Sequence, residues 1–268
     1  MGFFYISFLA VIQGITEFLP VSSSGHLLLI SELFNQPDQN LQVDVAVHFG
    51  TLLAIILFYR KDFKSLLNGL HKNLVFNFFD SDARFFRLLA LATLPVICSG
   101  FILKFTGLIY EIRSLKVIGF GMITFGLILY IADKYGRKNR SNTDWSYKDA
   151  LIMGIWQAIA LIPGTSRSGN TISGGMFLGF SRESSVNISF IMSIPTILAS
   201  SSLLLIDLIR IDFKSADPVS LLICALLSFF ASLVALNLLI FYIRKRNFTP
   251  FVMYRLILGS LILYLVYS

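Results

Sequence analysis

The chain has 268 residues, of which 56% are hydrophobic and only 14% are charged, and its mean hydropathy is +0.76. Soluble domains carry about 25% charged residues, so this composition excludes an ordinary soluble protein and predicts an integral membrane protein. The net charge of +7 would suit a nucleic-acid-binding protein, but the basic residues fall in short clusters and form no continuous stripe. We therefore predict no nucleic-acid partner and interpret the basic clusters as signals of membrane topology.

Six uncharged stretches predict six membrane-spanning helices. Only two of the stretches reach about 20 residues unaided, which is the length that crosses a bilayer. The others reach it with flanking basic residues, whose long stems extend toward the headgroups. In chain order the stretches are Val45 to Tyr59, Leu88 to Leu103, Val117 to Ala132, Val186 to Ile206, Val219 to Ile243 and Leu256 to Ser268. The sequence therefore predicts an all-α integral membrane protein with a single polytopic domain over residues 1–268.

Two further apolar stretches, Met1 to Ile30 and Ala150 to Phe180, are interrupted near their middles. The interruptions read LPVSSSGH and IPGTSRSG. Proline, glycine and hydroxyl residues disfavour a continuous helix at both places. We therefore predict two broken, re-entrant segments in addition to the six spans.

The basic residues of the connections predict the orientation. Six Lys or Arg lie between Arg60 and Arg87, five between Lys134 and Lys148, one at Arg182 and four between Arg244 and Arg255, sixteen on one side. The five on the other side are Lys104, Arg113, Lys116, Arg210 and Lys214. Under the positive-inside rule the side with sixteen faces the cytoplasm. We therefore predict that both termini of this plasma-membrane protein are external.

The order of the elements predicts an inverted repeat. Each half, 1–133 and 149–268, holds one broken segment followed by three spans, and because three is odd the second half is upside down. Matching residues support the repeat. At an offset of 144, Gln13 matches Gln157, Ser24 matches Ser168 and Gly25 matches Gly169, while Pro20 matches Pro163 at an offset of 143. Later in the two halves, LPVI around Pro95 matches IPTI around Pro195, and ILYI from Ile128 matches ILYL from Ile262. Inverted repeats with broken helices usually meet at a site near the bilayer midplane.

The first broken segment holds a carboxylate, an amide and a histidine. Gln13 and Glu17 are four residues apart and share one helix face, and two oxygens one turn apart suit Mg²⁺ or Ca²⁺ with phosphate oxygens completing the shell. Alternatively, Glu17 forms a salt bridge to Arg167 and only fixes helix packing. His26 suits proton transfer or nucleophilic attack, but a lone membrane histidine can also be merely hydrogen-bonded within a bundle.

The second broken segment predicts a phosphate site. A guanidinium offers a planar fork of donors to two phosphate oxygens, and hydroxyls, backbone N–H groups and restarting helix N-termini add to the same anion site. The residues concerned are Gly164, Thr165, Ser166, Arg167, Ser168, Gly169 and Thr171. The alternative is that the hydroxyls only cap helices. For His48 and His71, packing or surface roles are favoured over catalysis.

The pair QGITEFLPVSSSGH and PGTSRSGNT closely resembles the two signature segments of the bacterial undecaprenyl-pyrophosphate phosphatase family, the bacitracin-resistance type. The resemblance covers nearly the whole chain, including AVHFGTLLA from Ala46, QAIALIPG from Gln157 and MYRLILG near the C-terminus. It implies hydrolysis of a polyprenyl pyrophosphate lipid to the monophosphate, which recycles the carrier for cell-wall polymers. It implies no particular oligomeric state.

The resemblance also implies roles for individual residues. Gln13 and Glu17 fall on the family's first motif, Ser22, Ser23 and His26 on its Ser-rich catalytic stretch, and Ser166, Arg167, Ser168 and Thr171 on its phosphate-binding motif. From the chemistry of these residues we assign the metal to Glu17 and Gln13 and catalytic roles to Glu17, Ser23, His26 and Arg167. Phosphate contacts are assigned to Ser22, Ser166, Ser168 and Thr171. The nucleophile is left open among His26, Ser23 and water. A transporter or flippase for an anionic lipid is the alternative function, because broken midplane helices are also transporter architecture.

Overall fold

The structure, a computed structural model, describes residues 2–35, 41–210 and 217–268, apart from the side chains at 109, 110 and 208–210. Most of the described residues lie in helices, and the extended pairing among them is a single isolated bridge between Arg140 and Phe180. In chain order the helices are α1 (Phe3–Phe18), α2 (Ser23–Leu33), α3 (Leu41–Phe58), α4 (Arg60–Leu74), α5 (Ser81–Thr106), α6 (Leu108–Glu111), α7 (Leu115–Tyr135), α8 (Tyr147–Ile159), α9 (Arg167–Phe177), α10 (Arg182–Arg210), α11 (Pro218–Ile243) and α12 (Thr249–Tyr267). The predicted all-α class is confirmed.

Six of these helices are long and apolar enough to cross a bilayer, namely α3, α5, α7, α10 over Arg182–Asp207, α11 and α12. They coincide with the six predicted stretches, and the chain is a multi-pass membrane protein. The outward face of α11 is an example of a surface that fits the membrane. Its residues Leu222, Phe230 and Leu238 lie at helical spacing and are each about 60% exposed. An apolar stripe of this kind is stable against lipid and not against water.

The two interruptions end helices where the sequence predicts that they should. α1 ends at Phe18 and α2 begins at Ser23, while α8 ends at Ile159 and α9 begins at Arg167. The breaks are therefore present, although the re-entrant course of these segments stays a prediction. The sequence did not predict α4, a separate polar helix within the basic connection, where Gly69 packs directly against the backbone of Asp82.

Close helix packing positions the first broken segment. Gly14 of α1 and Gly50 of α3 both lie against the backbone of α11, and a Cβ at Gly50 would come within 2.2 Å of the Ala225 carbonyl oxygen. Ser232 of α11 donates a hydrogen bond to the Gly14 carbonyl oxygen at 3.1 Å. Small residues and interhelical hydrogen bonds of this kind hold membrane helices at short distance. α11 therefore fixes α1 and α3 against each other.

The second broken segment is held in a similar way by α5. A Cβ at Gly154 of α8 would lie 2.5 Å from the Ala92 carbonyl oxygen. The pairs α1–α11 and α8–α5 join equivalent elements of the predicted repeats, although the inverted repeat itself stays a prediction. The proposed match of Pro95 with Pro195 is not part of this equivalence, because Pro95 lies in the second span of its half and Pro195 in the first.

One basic residue lies elsewhere than the orientation argument assumed. Arg255 was counted with the connection that follows α11, but it lies within α12 and is completely buried. Lys214, on the opposite side of the count, is outside the described residues, as is the side chain of Arg210. Without Arg255 the predicted cytoplasmic side still holds the large majority of the basic residues.

Candidate functional site

The two breaks face one another across a single cavity of about 220 Å³. The end of α1 and the starts of α2 and α9 form its polar side, while its apolar wall consists of Val96 of α5, Ala160 and Leu161 directly after α8, and Ile197 of α10. Its charged, imidazole and principal hydroxyl side chains are Glu17, Ser22, Ser23, His48, Ser166 and Arg167. The structure therefore brings residues of both signature segments, about 150 positions apart in sequence, to one place.

The same turn precedes α2 and α9. Ser22 and Ser166 both have a positive φ, 72° and 69°, which is uncommon for a residue with a side chain. Each Oγ accepts a hydrogen bond from the glycine N–H three residues on, at 3.4 Å for Gly25 and 3.2 Å for Gly169. Both hydroxyls therefore cap the N-terminus of a helix, which is the role that the alternative interpretation gave them. It leaves other N–H groups of both helix starts available for an anion.

Glu17 is the buried centre of the polar side. Its Oε2 accepts hydrogen bonds from Gln13 Nε2 at 2.8 Å and from Ser23 Oγ at 3.0 Å, and its Oε1 is paired with the Arg167 guanidinium. The salt bridge that was kept open as an alternative is therefore present. It joins the two signature segments, and it does not use the whole guanidinium.

The remaining donors of Arg167 are what a phosphate group would need. Nη2 bonds to Glu17, but Nη1 is buried and has no hydrogen-bond partner among the described residues. A buried donor left unpaired is destabilising by roughly 1–3 kcal/mol or more for a charged group. An incoming phosphate oxygen would pair this donor. The geometry therefore fits the predicted phosphate contact of Arg167 together with its ion pair.

His26 is not among the residues that line the cavity. Its Nδ1 lies 2.7 Å from the Ser22 carbonyl oxygen and its Nε2 2.6 Å from the Tyr254 hydroxyl, and the two rings are stacked at an angle of 4°. Both ring nitrogens are thus engaged within the protein. His26 is therefore hydrogen-bonded within the helix bundle, as its alternative interpretation predicted, and it connects α2 to α12.

His48 is the imidazole that does line the cavity. Its Nδ1 lies 2.8 Å from the Asp44 carbonyl oxygen one turn earlier in α3, so Nδ1 carries the proton and Nε2 is the other edge of the ring. The sequence favoured a packing role for His48. No local signal could have corrected that, because its position depends on how α11 holds α3 against α1.

Other predicted phosphate contacts are used for packing. Ser168 Oγ donates to the Leu19 carbonyl oxygen at 3.0 Å, which ties α9 to the end of α1. Thr171 is fully buried and its Oγ1 lies 2.5 Å from Ser189 Oγ of α10. Gly164 and Gly169 allow close approach of protein groups, since a Cβ at Gly164 would lie 2.4 Å from the Ile118 carbonyl oxygen. These four residues therefore shape the site from outside its lining.

The donors for a metal ion are few. Within the described ranges, no group of three or more His, Cys, Asp or Glu side chains comes together as a metal site. One oxygen is nevertheless available: Gln13 Oε1 is buried without a hydrogen-bond partner among the described residues, and its own Nε2 contacts Glu17. The neighbouring oxygens are those of the Glu17 carboxylate, where Oε2 accepts the bonds from Gln13 and Ser23 and Oε1 is paired with Arg167.

Comparison with known proteins gives one consistent result. The family model described as "Bacitracin resistance protein BacA" matches residues 6–261. Proteins named undecaprenyl-diphosphatase from Jannaschia sp. and Ruegeria pomeroyi are 45% and 46% identical to the chain over 269 residues, covering 100% of both sequences in each pair. The protein of that name from Campylobacter curvus is 44% identical over 267 residues, with 99% of each covered.

Proposed function

The chain belongs to the bacitracin resistance protein BacA family, and on that premise we propose that it hydrolyses undecaprenyl pyrophosphate to undecaprenyl phosphate and inorganic phosphate. The reaction recycles the lipid carrier for cell-wall polymers and gives bacitracin resistance. The observation that carries the proposal is the convergence of Glu17, Ser23 and Arg167 in one cavity between two capped helix starts. A carrier that only moves an anionic lipid does not need this combination.

Arg167 and the two helix starts bind the terminal phosphate group. The unpaired Nη1 of Arg167 donates to one phosphate oxygen, and the first N–H groups of α2 and α9 stabilise the others. Both helices have 11 residues, long enough for a useful dipole at the N-terminus. These groups are fixed before the substrate arrives, which is the arrangement that stabilises developing charge in a phosphoryl transfer.

Ser23 is the proposed nucleophile. Its Oγ lines the cavity and donates to Glu17 Oε2 at 3.0 Å, so the carboxylate can take its proton as the oxygen attacks the terminal phosphorus. The bond from phosphorus to the bridging oxygen then breaks, and its electron pair leaves with undecaprenyl phosphate. Water then attacks the phosphoserine, and the bond from phosphorus to Ser23 Oγ breaks. Glu17 returns its proton to Ser23 Oγ, and the inorganic phosphate leaves with the two protons of the water. His26 is less suited to attack because both its nitrogens are engaged.

A divalent cation, Mg²⁺ or Ca²⁺, completes the proposed site. Gln13 Oε1 and the Glu17 carboxylate would hold it, and the donor set fits because both ions take oxygen ligands and Mg²⁺ in particular is usually bound by one or two carboxylates plus phosphate oxygens and water. The buried, unpaired oxygen of Gln13 supports this assignment. When bound, the cation would neutralise part of the pyrophosphate charge.

The lipid and the membrane complete the proposal. The polyprenyl tail lies in the bilayer between the exposed apolar faces of the helices, and only the pyrophosphate enters the polar cavity. The protein is placed in the bacterial plasma membrane with both termini external, as the distribution of basic residues predicts.

The decisive experiment is phosphate release from undecaprenyl pyrophosphate by the purified protein in detergent micelles. No membrane separates two compartments there, so transport leaves no signal. We expect release of one inorganic phosphate per substrate, with Ser23→Ala inactive and correctly folded. A folded wild-type protein that binds the lipid without releasing phosphate, with or without divalent ions, would reject the hydrolase and favour the flippase alternative.

A further inference from the structure

Among the described residues, the largest completely buried side chain is an arginine outside the cavity. Arg255 lies on α12, and its exposed fraction is 0%. A membrane-embedded guanidinium is rare and is usually functional or paired with an acid. Among the ion pairs formed by the described residues, none includes Arg255. Its partners are backbone carbonyl groups, and their positions in the chain are informative.

The guanidinium reaches both turns that carry the site. Nη2 donates to the carbonyl oxygens of Thr165 at 2.8 Å and Gly164 at 3.2 Å, directly before α9. Nη1 lies 3.4 Å from the carbonyl oxygen of Pro20, directly before the turn into α2. One rigid, planar group therefore bonds to two segments that are about 140 residues apart in sequence.

The same side chain is anchored to α7. Its Nε donates to the Met122 carbonyl oxygen at 3.3 Å, and Nη2 lies 3.4 Å from the Gly121 carbonyl oxygen. α7 and α12 pack closely along their length, where Gly119 and Gly259 face each other. The two turns are thus attached, through Arg255, to a pair of spanning helices.

Glycines create the space that Arg255 occupies. A Cβ at Gly169 would lie 2.8 Å from Arg255 Nη1, and a Cβ at Gly126 would lie 3.3 Å from Arg255 Cβ. Neither position has a positive φ, so backbone conformation does not explain these two glycines. The slot is shaped for the arginine side chain.

Tyr254 adds a neighbouring connection from the same helix. Its hydroxyl contacts His26 Nε2 at 2.6 Å, and His26 lies in the first turn of α2. α12 therefore contacts the first broken segment at Pro20 and at His26, and the second at Gly164 and Thr165. Two adjacent residues of α12, Tyr254 and Arg255, therefore hydrogen-bond to both broken segments.

We infer that Arg255 is a positioning residue that holds the two turns in a fixed relation, so that Ser23 and Arg167 address the same phosphate group. The inference rests on the proposed hydrolase function but concerns a residue outside the cavity lining. A lysine cannot replace it, because one ammonium cannot reach five carbonyl oxygens on three segments in a planar arrangement. Arg255 acts through Ser23 and Arg167 and does not itself contact the substrate.

The test compares Arg255→Lys and Arg255→Met with Arg244→Met, in full-length protein in micelles. Arg244 is an exposed arginine at the end of α11 that pairs with Glu183, so it controls for loss of an arginine. We expect kcat to fall by roughly 10²-fold in both Arg255 variants, the effect of a misplacement of about 1 Å in a catalytic group. KM should change much less, because the groups that bind the lipid remain, and Arg244→Met should match the wild type.

Amide hydrogen exchange supplies a readout that needs no substrate. Protection at residues 22–25 and 166–169 should fall together in Arg255→Lys, while protection in α5 and α11 stays unchanged. Wild-type kcat with wild-type exchange in folded Arg255→Lys would overturn the inference, as would loosening of one turn only. If both variants fail to fold, Gly169→Ala replaces them, since its Cβ would displace Arg255 Nη1. A fall in kcat with loss of protection at both turns would then support the inference, and wild-type kcat with wild-type exchange, or loosening of one turn only, would overturn it. Absence of phosphate release by the wild type would reject the hydrolase function and leave the exchange result to decide on Arg255.

Discussion

Ser22 and Ser166, 144 residues apart, have the same left-handed backbone conformation and cap their helices in the same way. In each turn the capping serine also contacts the hydroxyl two residues on, Ser24 at 3.3 Å and Ser168 at 3.2 Å. A positive φ at a residue with a side chain is strained by about 1–3 kcal/mol and persists where surrounding contacts enforce it. The two turns therefore share one local structure, which directs the starts of α2 and α9 toward the same cavity.

The first prediction concerns the divalent cation. Removing divalent ions with a chelator should abolish phosphate release in micelles, because Gln13 and Glu17 supply only part of an oxygen shell. Glu17→Gln should lower turnover by about 10²-fold or more, since it loses both the metal ligand and the acceptor for the Ser23 proton. Restoring Mg²⁺ or Ca²⁺ should recover the wild type and not the variant. Full activity in chelator would remove the metal role and leave Glu17 with its ion pair to Arg167 and its hydrogen bond from Ser23.

The second prediction separates the two proposed nucleophiles. Rapid quenching with substrate labelled at the terminal phosphate should trap label on Ser23 and none on His26. His26→Ala should be impaired by the loss of its connection from α2 to Tyr254, and Tyr254→Phe should reproduce part of that defect. Acid-labile phosphohistidine in the wild type, absent from His26→Ala, would instead restore His26 as the nucleophile.

Much of this fold follows directly from hydropathy. Charges end the apolar stretches, and the proline, glycine and serine clusters end α1 and α8, so local signals suffice for the spans and the breaks. The ion pair of Glu17 with Arg167 was also predictable as one of two alternatives, because two opposite charges without other partners tend to meet in an apolar medium.

The remaining features depend on packing between distant segments. His48 reaches the cavity because Gly50 lets α3 approach α11, and Arg255 reaches the turns because glycines leave it a slot. By sequence alone His48 resembled a packing residue at the start of a span, and Arg255 resembled a topology signal near a basic cluster. The same limit applies to Ser168 and Thr171, whose hydroxyls were equally suited to phosphate and to neighbouring protein groups.

The third prediction concerns His48. Glu17 and Arg167 neutralise one another, so His48 is the other ionisable side chain on the cavity wall among the described residues. His48→Leu should raise KM by roughly tenfold or more, since it removes the hydrogen bond that Nε2 can accept from a protonated phosphate oxygen, and a hydrogen bond to a charged group contributes about 1.5–3 kcal/mol. His48→Gln, which keeps a polar end, should be milder, and His71→Gln on α4 is the matched control. Equal KM in the Leu variant and the wild type would return His48 to a packing role.

The fourth prediction concerns topology. A reporter fused after Ser268 should be external, and one inserted between Lys134 and Lys148 should be cytoplasmic. Three spans, α10, α11 and α12, separate these points, and the predicted re-entrant pair α8 and α9 would return to the side on which it starts. Reporters on the same side would contradict the inverted repeat, because an odd number of full crossings requires opposite sides.

The last prediction tests whether Arg167 binds phosphate or only balances Glu17. If it only balances charge, Arg167→Lys keeps the ion pair and most of the activity, and the double variant Arg167→Ala with Glu17→Ala regains a stable protein. The unpaired Nη1 argues for the first role. A lysine can satisfy Glu17 or a phosphate oxygen but cannot hold both in the geometry of a guanidinium fork.

We therefore expect Arg167→Lys to insert and fold normally yet to lose at least about tenfold in kcat/KM, the value of one charge-assisted hydrogen bond. The double Ala variant should fold and remain inactive, because it has removed the phosphate ligand along with the charge. The measurement is phosphate release per folded molecule for wild type, Arg167→Lys and the double variant, with Arg244→Lys as the exposed-arginine control. Near-native turnover in Arg167→Lys would reject the binding of phosphate by Arg167, since that variant keeps the positive charge and removes only the planar fork of guanidinium donors.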